Sequence, residues 1–228
     1  MSIFGNEKFI VANFKQNATR DESLTWIKEF KNGLNEIGSL EINIVLCPTF
    51  PLLQTFFDEL SKEGYFRKKV FLGSQNISSN ENLENTGEVS GRSLSEFVNF
   101  SLIGHSERKE NFDEVTKKCE QAVKNKIIPI VCFYENKSVY TFENCIFAYE
   151  DPKSISKAGV FQEKDFNEMV GITEDLENMF DSKPILYGGS VKPENAQMIK
   201  DLNFFKGVLV GRSSLDPKSF LEIVKIYN

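Results

Sequence analysis

The sequence predicts an α/β fold, a single (β/α)8 barrel, on three observations. Eight short apolar runs recur along the chain. Amphipathic helical patterns stand between several of them. The length, 228 residues, suits eight strand–helix units in one domain, because such barrels take about 250 residues. Near-continuous runs of Val, Ile, Leu and Phe fit parallel strands buried on both faces. Alternating units in this length favour a closed barrel over an open doubly wound sheet. No linker or break in composition divides the chain, so residues 1–228 are expected to form a single domain.

In order, the predicted strands are FIVANF from Phe9, INIVLC from Ile42, KVFLGSQN from Lys69 and FSLIGH from Phe100. IIPIVCF from Ile127, CIFAYE from Cys145, PILYGGS from Pro184 and GVLVGR from Gly207 complete the set. Pro129 is tolerable near a strand start. The first helix runs from Asp21 to Ile37, where Leu24, Ile27, Phe30, Leu34 and Ile37 share one face. Thr19 or Asp21 caps it. Phe112 to Lys124 and Lys164 to Phe180 show the same periodicity. Only about Asn136 to Phe142 is left for the fifth helix, which is therefore shortened. The last helix opens at Ser214 or Asp216 with Pro217 in its first turn. Trp26 is expected in the core or on a helix surface.

Composition excludes several classes. Lys and Arg number 27 against 33 Asp and Glu, a net charge of −6, so no nucleic-acid surface is expected. Converging backbone amides can still bind an anion. No apolar stretch approaches the ~18 residues of a membrane span, and no signal peptide is apparent at the start. Four cysteines too scattered for a C-x-x-C pair and one histidine argue against zinc and for reduced thiols in a cytoplasm. Hydrophobic residues make up 40%, with 21 Phe among them, so the core is expected to be aromatic.

In such a barrel the chemistry sits where strands end. Those ends carry Asn13 and Lys15, Gln75 and Asn76, His105 to Glu107, Cys132 and Glu135, Glu150, Gly188 to Ser190, and Gly211 with Arg212. Alone, His105 reads as an ordinary loop histidine, Glu150 as a rim salt-bridge residue and Lys15 as a surface lysine. Together they set a base, an imidazole and an ammonium on one rim. A helix starting near Ser106 would aim N–H groups at the ring and favour neutral imidazole. The glycine turns ending strands seven and eight let backbone amides approach a phosphate. The run from Asn76 to Glu88 is a solvated excursion or a partner-binding arm.

Six segments in order resemble the triosephosphate isomerase family along nearly the whole chain. They are NFKQN from Asn13, QN with TGEVS (Gln75, Asn76 and Thr86 to Ser90), LIGHSERK from Leu102, AYE ending at Glu150, ILYGGSVKPENA from Ile185 and GVLVGRSSLDPKSFLEIV from Gly207. The resemblance implies a TIM barrel that interconverts dihydroxyacetone phosphate and glyceraldehyde 3-phosphate, in cytoplasmic glycolysis and gluconeogenesis. It makes Glu150 the base and neutral His105 the electrophile. Lys15 and Asn13 orient substrate, and Glu107 holds Lys15. Amides around Gly189, Ser190, Gly211 and Arg212, with Ser156 of the lid, grip the phosphate. The substrate is a small phosphorylated triose, with no cofactor or metal. A homodimer is implied, with Thr86 near the partner's Asn13, and a tetramer is possible. The chain departs from the family at its lid, Asp151 to Ala158, which lacks the usual Gly-Thr-Gly tip and is expected to grip phosphate weakly. CFYE stands for the usual C-x-G-E, and Arg212 for a frequent glycine. Another phosphosugar isomerase, or a non-catalytic relative binding a phosphorylated ligand, is the alternative.

Overall fold

The computed structural model describes residues 5–82, 84–134, 142–150, 154, 164–180 and 184–228. All eight expected strands form: β1 Phe9–Asn13, β2 Asn43–Cys47, β3 Val70–Ser74, β4 Phe100–Ile103, β5 Ile128–Phe133, β6 Ile146–Tyr149, β7 Ile185–Tyr187 and β8 Gly207–Val210. They pair in parallel in chain order, and β8 returns to β1 to close the barrel. Around it lie α1 Arg20–Ile37, α2 Leu53–Ser61, α3 Gly91–Leu94, α4 Phe112–Lys124, α5 Phe166–Phe180, α6 Pro193–Asp201 and α7 Pro217–Tyr227. The predicted fifth-unit helix falls largely in residues 135–141, outside the described residues. No described helix is long and apolar enough to cross a membrane.

Burial on both faces explains the near-continuous apolar strands. In β1, Phe9 and Val11 belong to the cluster filling the barrel, while Ile10 and Ala12 belong to the cluster between strands and helices. At the strands' starting end, Phe100 meets Phe9 and Phe71 edge to face, with centroids 6.0 and 5.6 Å apart. Geometry of this kind favours aromatic pairs. The β8–β1 seam is tight. Gly207 has φ +136°, and a Cβ on it would lie 1.8 Å from the Phe9 carbonyl oxygen.

Helix ends follow their caps. Thr19, not Asp21, is the N-cap of α1, and Glu22 completes a capping box with it. Asn111 caps α4 and Asp216 caps α7. Ser214 instead ends a short 3-10 turn, Arg212–Ser214. Trp26 is buried on α1, stacked on Phe30 at 4.8 Å and 6.1 Å from Phe220 of α7. Its indole N–H donates to the Ser214 carbonyl at 3.0 Å. The first and last helices thus meet behind the turn that follows β8.

Candidate active site

Glu150 directly follows β6, and its side chain is buried at the barrel mouth. A buried carboxylate is costly without hydrogen bonds. The Ser106 amide donates to Oε2 at 3.2 Å, and His105 Nε2 lies 3.1 Å from Oε1. Space for it comes from Gly188, where a Cβ would lie 2.8 Å from Glu150 Cγ. The Cys132 thiol stands near the Glu150 carboxylate. Burial first, and then that carboxylate, push the Cys132 pKa up, so it stays a thiol.

His105 stands two residues beyond β4. The expected helix near Ser106 is absent. Residues Ser106 to Arg108 form one turn closed by the Arg108 amide on the His105 carbonyl at 2.8 Å, and α4 starts only at Phe112. An amide still addresses the ring, because Glu107 N–H donates to Nδ1 at 3.2 Å. An Nδ1 that accepts carries no proton, so the ring is the neutral tautomer with its N–H on Nε2, toward Glu150. Burial disfavours the imidazolium most. The hydrogen bond and charge of Glu150 outweigh it and hold the His105 pKa above its ordinary value, and Lys15 acts against them.

Lys15 has φ +51°, a left-handed backbone that an L-residue adopts only when its surroundings hold it there. Its amide donates to Asn13 Oδ1 at 3.0 Å. Its carbonyl accepts from Gln75 Nε2 at 2.7 Å, and the same amide group also reaches the Cys47 carbonyl. The expected ion pair with Glu107 forms, with side chains 30% and 54% exposed. Pairs so exposed contribute about 1 kcal/mol or less. The backbone clamp therefore places Lys15 more firmly than the ion pair does.

The two glycine turns face the same opening. Ser190 Oγ donates to the Ser154 carbonyl at 2.7 Å, and Asn195 Nδ2 to the Ser190 carbonyl at 2.8 Å. Ser213 Oγ donates to the Val191 carbonyl at 2.8 Å, tying one turn to the other. A cavity of about 300 Å³ brings together Asn13, Lys15, His105, Glu150, Gly189, Ser190, Gly211 and Arg212. Glu107 lines an adjoining depression of about 520 Å³. Ser156 and nearly all of the predicted lid lie outside the described residues. Asn17, Val191, Leu209 and Leu215 also line the cavity, though sequence reasoning missed them as site residues. Val191 directly follows the first glycine turn and was findable by position. Leu209 and Leu215 carry no polar signal. Among the described residues, no group of three or more His, Cys, Asp or Glu gathers as a metal site would require.

The triosephosphate isomerase family profile matches residues 8–227. The chain is similar to the triosephosphate isomerase of Alkaliphilus metalliredigens, 31% identical, covering 94% of this chain and 97% of the relative. The enzyme of that name from Mycoplasma mobile is 31% identical over 96% of this chain and 99% of its own. That of a Nostoc species is 33% identical over 94% and 97%. A crystal structure of triosephosphate isomerase from Bartonella henselae superposes with a TM-score of 0.76, covering 97% of this chain and 99% of its own. At 24% sequence identity, that last likeness speaks to the fold.

Proposed function

The chain belongs to the triosephosphate isomerase family and is a triose-phosphate isomerase, and from that premise we propose how its residues work. The substrate pair is dihydroxyacetone phosphate and D-glyceraldehyde 3-phosphate. The single observation that carries the reading is the Glu150–His105 contact at the cavity wall, with Nδ1 already occupied by the Glu107 amide.

Phosphate sits against the amides of Gly189, Ser190, Gly211 and Arg212, and Lys15 supplies charge between it and the reacting carbons. Ser156 of the lid adds a further amide. Substrate entering between His105 and Glu150 takes over the Nε2–H, so the carbonyl oxygen is polarised and the carboxylate is released. Glu150 removes a proton from the hydroxyl-bearing carbon. The C–H electrons move into the enediolate, whose oxygens are held by His105, Lys15 and Asn13. Glu150 then returns the proton to the neighbouring carbon, while His105 moves a proton from the original hydroxyl oxygen to the former carbonyl oxygen, so that the first becomes the new carbonyl and the second the new hydroxyl. With Glu150 turned to substrate its lift is lost, and burial with Lys15 depresses the imidazole pKa against the smaller remaining charge effect of Glu107, which favours neutral His105. No cofactor or metal enters this scheme. We place the enzyme in cytoplasmic glycolysis and gluconeogenesis, as a homodimer with a tetramer possible.

The test is kinetic. In a coupled assay, Glu150→Gln is expected to lose roughly 10³-fold or more in kcat, and His105→Gln about 10²-fold, the scale of general acid–base contributions. Both variants should keep affinity for a phosphate-bearing inhibitor. Near wild-type turnover in Glu150→Gln removes the base assignment.

A further inference from the structure

Behind the His105 turn lies a buried ion pair that the catalytic scheme does not use. Lys118 on α4 and Glu110 just before it have side chains only 2% exposed. Charged side chains are almost never so deep unless paired. Lys118 Nζ lies 2.5 Å from Glu110 Oε1, donates to Asn76 Oδ1 at 2.9 Å and meets Glu114 Oε1 at 3.2 Å. Glu110 spends its other oxygen on the turn, where Oε2 accepts the Gly104 amide at 3.0 Å. Arg108 Nε also binds Glu110 Oε1.

One carboxylate thus holds both ends of the segment from Gly104 to Arg108. Within that segment the Glu107 amide addresses His105 Nδ1 and the Ser106 amide addresses Glu150. Gly104 has φ +75°, and a Cβ there would sit 2.9 Å from the Cys132 carbonyl oxygen. The bend before His105 is therefore backbone-limited and open to no ordinary side chain. Burial pushes Glu110 up, but hydrogen bonds from Lys118 and Arg108 more than offset it and hold the carboxyl below its usual pKa. Glu110 is a carboxylate at neutral pH.

We infer that Glu110, fixed by Lys118 and Arg108, is a positioning residue that sets the angle and tautomer of His105 by clamping both ends of the Gly104–Arg108 turn. This rests on the proposed role of His105. Small misplacements of a reacting group cost up to about 10²-fold in rate. A loosened clamp therefore acts on kcat more than on substrate binding.

The experiment compares Glu110→Gln, His105→Gln and the double variant. Glu110→Gln is expected to lower kcat about tenfold, leaving KM and phosphate-inhibitor affinity within about twofold. In the His105→Gln background the same change should cost less than about twofold, the non-additivity of groups acting as one unit. His105 is the only histidine in the chain, so its ¹⁵N resonances are read without ambiguity. The Nδ1 signal should move in Glu110→Gln. Glu114→Gln, which removes a carboxylate from Lys118 but nothing from the turn, should leave kcat and that signal unchanged. A tenfold loss that persists without His105, or an equal loss in Glu114→Gln, overturns the inference. Wild-type kcat in Glu110→Gln beside an impaired His105→Gln overturns it alone. Wild-type kcat in His105→Gln takes down the underlying reading as well. If Glu110→Gln does not fold, Arg108→Met frees the exposed end and keeps the buried pair. A loss of about threefold that vanishes without His105 is then expected, and no loss overturns the inference.

Discussion

His105 and Glu150 set each other's charge. Glu150, with a smaller effect from the Glu107 charge, lifts the imidazole pKa, while burial and Lys15 push it down. Glu150→Gln is therefore expected to lower the His105 pKa relative to the wild type, and an NMR titration of the single histidine measures it. An unchanged titration would mean that the two side chains do not touch in solution. The sign carries into stability. With the folded pKa raised, the contact's contribution is present below the unfolded value near 6.5 and fades as pH rises through the folded one. At this scale the sequence spoke clearly where a strand ends, since Asn13, Lys15, His105 and Glu150 all follow apolar runs. It was silent on Gly188, because the need for a glycine there arises from a carboxylate distant in the chain. It was silent on Glu110 and Lys118 too, since a charged pair eight residues apart beside a helix looks like ordinary solvated surface until burial is known.

Strands and helices differ in how plainly they were written. All eight strands were legible because burial on both faces leaves little room for polar residues. α1, α4 and α5 were legible from their apolar faces, with α5 starting at Phe166 rather than Lys164. α3, of four residues, has no periodicity to read. The helix expected at Ser106 failed because Glu110 draws the segment into a tight turn and Asn111 supplies the cap that starts α4 instead. The barrel seam carries its own prediction. Gly207→Ala forces a Cβ toward the Phe9 carbonyl in a backbone region that disfavours alanine. A loss of about 3 kcal/mol or more is expected by denaturant unfolding, in the range reserved for strain and overpacking. A change within about 0.5 kcal/mol, the level of an ordinary surface substitution, would show that β8 and β1 part more easily than their register suggests.

For the whole molecule, the proposed homodimer is the consequence most open to measurement. The depression beside the cavity joins Lys15, Phe50, Gln75, Asn76 and Glu107, so an arm from a second copy seated there would border the site. Light scattering at micromolar concentration is expected to give twice the 26.0 kDa chain mass or a multiple of it, and an active monomer would refute the dimer. The remaining consequence belongs to Trp26. It is the only tryptophan in the chain, and its indole is bonded to an oxygen 188 residues away. The protein therefore carries its single tryptophan fluorophore at the place where its two ends are sewn together. Far-ultraviolet circular dichroism averages over all helices, whereas the emission maximum reports that one closure. Contacts so distant in the chain are held against a large loop entropy, while helices are local. In a urea titration the emission is expected to shift red before the helical signal falls. Coincident curves would mean that the ring opens and the helices melt as one event.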